Sequence, residues 1–200
     1  IKVVDDNGSE KSFAEQVDEA LGGVLPFYTS LKVCDTPQIL LDVGCEQLPM
    51  LYTQKHLKNA ILPPDEKNHR HGLEIEQIKR LPELLSHPVM IIDSPNRKDS
   101  IIVVTSEVDK SDNPIIASIK PNGEGRYEVE NVSSNFITSV YGRNNFSEYF
   151  RRIVQSDNLL FCDKQKSQAM FERWGEQYSE LTNNLDFNII IHQSRNIVKG

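Results

Sequence analysis

Cysteine is scarce. The chain has three, Cys34, Cys45 and Cys162, too few and too scattered for a disulfide framework or a zinc site, and no Cys-x-x-Cys occurs. Reduced thiols are expected, and no metal site. No run approaches the ~18 apolar residues of a membrane-spanning helix, so no membrane partner is expected. A basic excess is also lacking. The formal net charge of −7 argues against general nucleic-acid affinity. No phosphate loop, dinucleotide fingerprint, zincin motif or Gly-x-Ser-x-Gly is present, which removes the usual nucleotide and hydrolase families. The first residues, Ile-Lys-Val-Val-Asp-Asp, hold neither an initiator Met nor an apolar signal core, and read as the start of a piece cut from a longer protein.

What is present fits one domain. Two hundred residues, 38% apolar and 26% charged, describe a soluble globular chain. The charge is uneven. Residues 1–50 hold 3 Lys against 9 Asp or Glu, whereas residues 51–80 hold six Lys or Arg against four acids and three of the five histidines. A local cationic face there is one reading, and a solvated helical surface is the other.

The pattern changes along the chain. Residues 1–11 are polar and expected to fray, leaving 12–200 as the domain. Ser12 with Glu15 forms a capping box ahead of a helix ended by Gly22-Gly23. Thr36-Pro37 starts a second helix and Thr53 a third, Thr53–Ile61. A fourth is expected over Leu73–Arg80, and residues 12–88 are read as mainly helical. The period then becomes two. Strands are expected over Val89–Ser94, Ser100–Val108, Ile115–Lys120 and over Tyr127–Val132 and Ile137–Tyr141, the last two as one bent strand or two, with a hairpin turn at Asn122-Gly123-Glu124-Gly125. Asn145 with Glu148, and then Asp163, cap two further helices around a short extended Leu159–Cys162. Phe187–Ile191 closes the pattern as a strand. The fold class is α+β, with N-terminal helices packed on a small antiparallel sheet and a C-terminal helix–strand–helix–strand extension.

The stretch Asn135–Arg143 gathers chemistry. Strand alternation puts Phe136, Thr138 and Val140 on one face and Ile137, Ser139 and Tyr141 on the other. A hydroxyl, a phenol and a guanidinium therefore collect at one strand end. Metal-free acid/base chemistry fits these residue types. Histidine titrates nearest neutral pH, and RNA carries its own nucleophile in the 2′-hydroxyl. Two proton-transfer groups and a donor for the phosphorane suffice. His56, His71, Ser139, Tyr141 and Arg143 supply those roles if the helical half folds over the strand end. Taken singly, each has a plainer explanation: a capping-turn histidine, a loop histidine bonded to backbone, a serine filling a small space, a core tyrosine with a wet hydroxyl.

One ordered series of motifs adds to this. Thr36-Pro37-x-x-Leu40, Gly44, Leu48-Pro49 and Thr53-x-x-His56-Leu57 are followed by His71-Gly72-Leu73 and Leu81-Pro82-Glu83-x-Leu85-x-x-Pro88. Asn113-Pro114-Ile115 and Ser139-x-Tyr141-Gly142 complete the series. It resembles the C-terminal domain of phage MuF-type head proteins and of polyvalent proteins of mobile elements. The resemblance implies a toxin or effector domain of the barnase–EndoU–colicin–RelE group, and hence a metal-independent ribonuclease with no cofactor. It gives His56 or His71 the role of general base or acid, and Ser139 and Tyr141 that of positioning the phosphate or sharing proton transfer. Arg143 and Lys55 are added as substrate-binding cations from charge and position. A toxin implies an RNA substrate, a neutralising immunity or antitoxin protein, and action in a bacterial cytoplasm after delivery from a phage particle or secretion system. The rival expectations are a non-enzymatic phage head or interaction module, and an enzyme that modifies a host protein or nucleotide.

Overall fold

The helix starts obey their local signals. In a computed structural model, which describes residues 1–127 and 130–177, Ser12 and Glu15 close the expected capping box on α1 (Phe13–Leu21). β1 (Leu31–Asp35), α2 (Gln38–Asp42) and β2 (Pro49–Tyr52) follow, then α3 (Gln54–Ile61), whose cap Thr53 accepts the His56 N–H. After a 3-10 turn at Glu66–Asn68 come α4 (Ile75–Lys79), α5 (Leu81–Ser86), β3 (Met90–Asp93), β4 (Ile101–Val108), β5 (Pro114–Tyr127) and β6 (Glu130–Gly142). The described part ends with α6 (Phe146–Gln155), β7 (Leu159–Cys162) and α7 (Lys164–Arg173), which Asp163 caps. Asn145 differs from expectation: it precedes α6 in the left-handed region and makes no side-chain cap. The expected strand Phe187–Ile191 lies outside the described residues.

The chain is α+β. Its seven described strands form one sheet in the order β1-β2-β6-β5-β4-β3-β7. Neighbours are antiparallel except β2 and β6, which run parallel. The helical half thus contributes two strands that its sequence pattern did not disclose. The Asn122–Gly125 hairpin signal is also corrected. Those residues lie within β5, where the register shifts between Lys120 and Gly123, and Tyr127 pairs with Glu130. The expected strand Tyr127–Val132 is divided: Tyr127 ends β5, and Asn131 and Val132 belong to β6, which runs on through Ile137–Tyr141.

Alternation along β3, β4 and β5 sends residues to two cores. Ile91, Ile101, Val103, Ile115, Ala117 and Ile119 pack with α1, α3 and α5 on one face. Ile92, Ile102, Val104 and Ile116 pack with Phe146, Phe150 and Phe171 of α6 and α7 on the other. Asn135, fully buried, pins β6 to the β1–β2 side. Its amide donates to Thr36 Oγ1 at 2.7 Å and the Glu46 carbonyl at 2.9 Å, and accepts the Asn122 N–H at 3.1 Å.

The edge strand β1 is covered by a side chain. Gln16 Oε1 accepts the Lys32 N–H at 2.9 Å, and its Nε2 donates to the Lys32 carbonyl at 3.1 Å. One amide thus stands in for a neighbouring strand, a guard against edge pairing. Residues 1–11, expected to fray, carry a bridge between Val4 and Glu10 beside this edge, and Lys32 Nζ donates to the Ile1 carbonyl at 2.6 Å. Gln16→Ala leaves both Lys32 backbone groups unpaired. It is expected to lower stability by about 1–3 kcal/mol, read from the urea midpoint.

Candidate functional site

β6 positions the site through a bulge. Ile119 faces Ile137 and Ser118 faces Ser139, so Thr138 is an extra residue on β6. Bulges re-aim side chains in this way beside functional sites. The simple alternation expected here is therefore corrected. Ile137 and Val140 share the first core, while Tyr141 packs against the second. The bulge brings Thr138 and Ser139 together onto the margin of an open cleft of about 980 Å³.

The cleft floor follows from the register. Met90, Val104, Ile116 and Tyr141 form one row across the sheet, packed with α6. The next row on that face is Ile92, Ile102, Ser118 and Ser139. Towards β6 the apolar row becomes hydroxylic, and it lines the cleft rather than a helix.

α3 makes one wall. Leu57 and Ala60 are buried in the first core, which leaves Lys55, His56 and Asn59 along the cleft. The His56 ring meets Phe136 edge-on, at 6.1 Å between centroids, and its Nδ1 is buried without a hydrogen-bond partner. The next segment folds back on α3. Asp65 and Arg70 pair through both backbone groups, at 3.1 and 3.0 Å, and present Lys67, His69 and Arg70 to the cleft. His71 N–H then donates to the Asn59 carbonyl at 2.9 Å, and Leu73 N–H to the Ala60 carbonyl at 2.8 Å. Gly72 between them has φ +65°, and a Cβ there would lie 2.7 Å from Pro64 Cδ. Glycine is required for this close return. Because Asn59 lies three residues after His56, the His71 backbone is offset from that of His56 by about one helical turn, ~5 Å along α3.

His71 stacks on Tyr141, with centroids 5.2 Å apart and planes at 28°. Arg143 Nη1 reaches the Tyr141 hydroxyl in a long hydrogen bond of 3.4 Å. The Arg143 guanidinium lies over the Tyr149 ring of α6, 4.0 Å from its centroid, in a cation–π contact. Tyr149 therefore holds Arg143 from behind, a supporting role that no local motif disclosed.

The electrostatics are one-sided. Lys55, Lys67, Arg70, Arg97 and Arg143 line the cleft with His56, His69 and His71, and among the described residues no Asp or Glu does. None of the five cations forms a salt bridge with a described carboxylate, which is equally true of Lys2, Lys58, Lys98, Lys120, Arg152, Lys164 and Lys166 outside the cleft, and Arg70 acts on Asp65 through its charge. What sets the cleft apart is the absence of acids from its described lining. In a chain of net charge −7, this segregation creates a focused positive field. Burial and then the Lys55 ammonium hold His56 below the ordinary histidine value, against a hydrogen-bonding Ile137 backbone group. Burial and then His69 do the same to His71. Both rings are thus biased to the neutral form. Burial pushes the Cys34 and Cys45 thiols up to about 12, so they serve packing and not nucleophilic chemistry.

All six residues singled out from sequence, Lys55, His56, His71, Ser139, Tyr141 and Arg143, line this one cleft. Lys67, Ser118, Thr138, Asn96 and Arg97 were missed. Lys67 lies within the cationic stretch already visible in the sequence. Arg97 sits in the turn between β3 and β4, and only the strand order brings it here. Among the described residues, no group of three or more His, Cys, Asp or Glu is placed to hold a metal ion. None of their helices is long and apolar enough to cross a membrane.

Compared with known families, residues 64–169 match the phage MuF-C-terminal domain. That span is just over half of the chain. It contains His71, Arg97, Ser118 and Ser139 through Arg143, and begins after Lys55 and His56. No curated protein and no solved structure matches the chain.

Proposed function

Because the chain belongs to the phage MuF C-terminal domain family, a phage-related one, we propose that it is a toxin or effector domain that cleaves RNA without a metal. The observation that carries this reading is the cleft itself, whose described lining sets five cations and no carboxylate around two histidines biased to the neutral form. Such a lining attracts a polyanion and offers proton transfer at the same place.

The reaction is an internal transesterification. One neutral histidine takes the 2′-hydroxyl proton. O2′ then attacks phosphorus, the P–O5′ bond breaks, and the second histidine, protonated, gives its proton to O5′. The products are a 2′,3′-cyclic phosphate and a 5′-hydroxyl. Ser139, Tyr141 and Arg143 donate to the phosphorane oxygens, where charge develops, and Lys55 holds the neighbouring backbone. The ~5 Å backbone offset of His71 from His56 along α3 suits two groups flanking one phosphate. No cofactor takes part. A toxin of this kind needs a neutralising partner, and charge complementarity makes it an acidic protein seated on the cleft.

The test is incubation of the purified domain with total cellular RNA in EDTA, beside His71→Ala and Tyr141→Phe. Discrete cleavage by wild type is expected, lost in His71→Ala and about 100-fold slower in Tyr141→Phe. Intact RNA after incubation with folded wild type would overturn the reading. It would leave the non-enzymatic phage head or interaction module, which accords equally with the family match, and an enzyme that modifies a host protein or nucleotide.

A further inference from the structure

We infer that the β3–β4 turn is a second phosphate site, in which Arg97 holds a backbone phosphate other than the one cleaved, so that the substrate is an extended single strand and not a dinucleotide. This rests on the ribonuclease reading of the cleft.

The geometry comes from strand order. His71, Tyr141 and Arg143 lie at the β6 side, against α3 and the Asp65–Arg70 turn. Arg97 follows β3, and β5 and β4 separate β3 from β6. Neighbouring strands are ~4.8 Å apart, so the floor from β6 to β4 alone spans ~10 Å. That floor carries Ser139, Ser118 and Ile102 in one row. Arg97 thus faces the histidines across a distance that one phosphate does not fill. A duplex is excluded because its paired bases cannot lie flat on a one-sided sheet floor, whereas an unstacked single strand can.

The turn is built for an outside ligand. Arg97 is exposed, has no described carboxylate partner, and follows a fixed backbone in which its N–H donates to Ser94 Oγ at 3.3 Å. Asp99 adopts φ 63°, and Ser94 N–H closes the turn on the Ser100 carbonyl at 2.9 Å. Asn96 and Ser94 line the cleft beside Arg97, while the adjacent Lys98 does not. Lys98 is therefore the internal control.

The experiment compares wild type, Arg97→Ala and Lys98→Ala on a dinucleoside monophosphate and on a ten-residue oligoribonucleotide, in EDTA. Arg97→Ala is expected to raise KM for the oligomer about tenfold, with kcat unchanged, and to leave the dinucleoside monophosphate unaffected. Lys98→Ala should change neither. Equal loss on both substrates would place Arg97 at the scissile phosphate and overturn the proposal, as would no loss on either. A second arm does not need cleavage. Anisotropy titration of a labelled all-deoxy oligonucleotide against salt should give a log–log slope shallower by about one in Arg97→Ala. An unchanged slope would overturn the second phosphate site. Absent cleavage with a changed slope would instead retire the ribonuclease reading and keep the site.

Discussion

His71→Ala is expected to lower the single-turnover rate of RNA cleavage by about 10²–10⁴-fold while the protein stays folded. The same is expected of His56→Ala. The fold should survive because His71 is tied in through its backbone N–H to Asn59, which alanine keeps, and because both residues are only partly buried, although each ring gives up a stacking contact, His56 on Tyr52 and His71 on Tyr141. The double variant should be scarcely slower than the worse single one, since groups acting as one unit are strongly non-additive. A His71→Ala protein with wild-type rate and wild-type urea midpoint would remove the proton-transfer role. Independent effects that multiply would show that the two rings do not act on one phosphate.

The pH dependence has a defined sign. Both histidines are held below the ordinary value, His56 by burial and Lys55, His71 by burial and His69. The free-enzyme kcat/KM profile needs one ring neutral and the other protonated, so it is a bell bounded by these two depressed values. Its maximum should therefore lie on the acid side of pH ~6.5. Stability follows the same groups. A depressed folded-state value means that the unfolded chain takes up the proton first. The contribution of these rings is complete above pH ~6.5 and is lost as pH falls towards their folded-state values. His71→Ala should flatten part of that loss, a comparison made from urea midpoints at pH 7.5 and 5.5.

The sequence disclosed what depends on near neighbours. Ser12 with Glu15, Thr53 and Asp163 cap their helices as read, because a cap needs only a side chain and an amide three residues on. β1 and β2 escaped notice for the opposite reason. They are five and four residues long, too short for a period to show, and β2 finds its parallel partner in Asn135–Ile137, far along the chain. Strand propensity there is a matter of tertiary pairing. The site divides in the same way. The histidines and Tyr141 were legible as residue types at element ends. That Ser139 and Tyr141 share a face was legible, but that Ile137 lies on the opposite one was not, since one extra residue at Thr138 inverts the side chains beyond it, and the register of β5 sets that position. Arg97 carries no local signal at all.

Gly142→Ala is expected to destabilise the protein by about 3 kcal/mol and to depress activity in whatever remains folded. Gly142 ends β6 opposite Ile115, between Tyr141 and Arg143, and space rather than backbone conformation demands glycine there. A Cβ would coincide with the Asp109 carboxylate and stand 3.0 Å from Asp109 Cβ. That carboxylate cannot simply swing away. It accepts the Ser111 N–H at 2.9 Å, the Asn113 N–H at 3.0 Å and the Asn113 amide at 3.3 Å. The Asn113 amide in turn reaches Asn144 at 2.9 Å, at the entry to α6. Relieving the clash means breaking this turn or shifting the end of β6, and with it the phenol and guanidinium that stand beside His71. Asp109→Gly alone should cost about 1–2 kcal/mol through the lost turn bonds. Combined with Gly142→Ala it should cost little more, because the clash has gone. Urea unfolding of the two single variants and the double variant measures that coupling. Simple additivity would show that Asp109 is not what excludes a side chain at position 142.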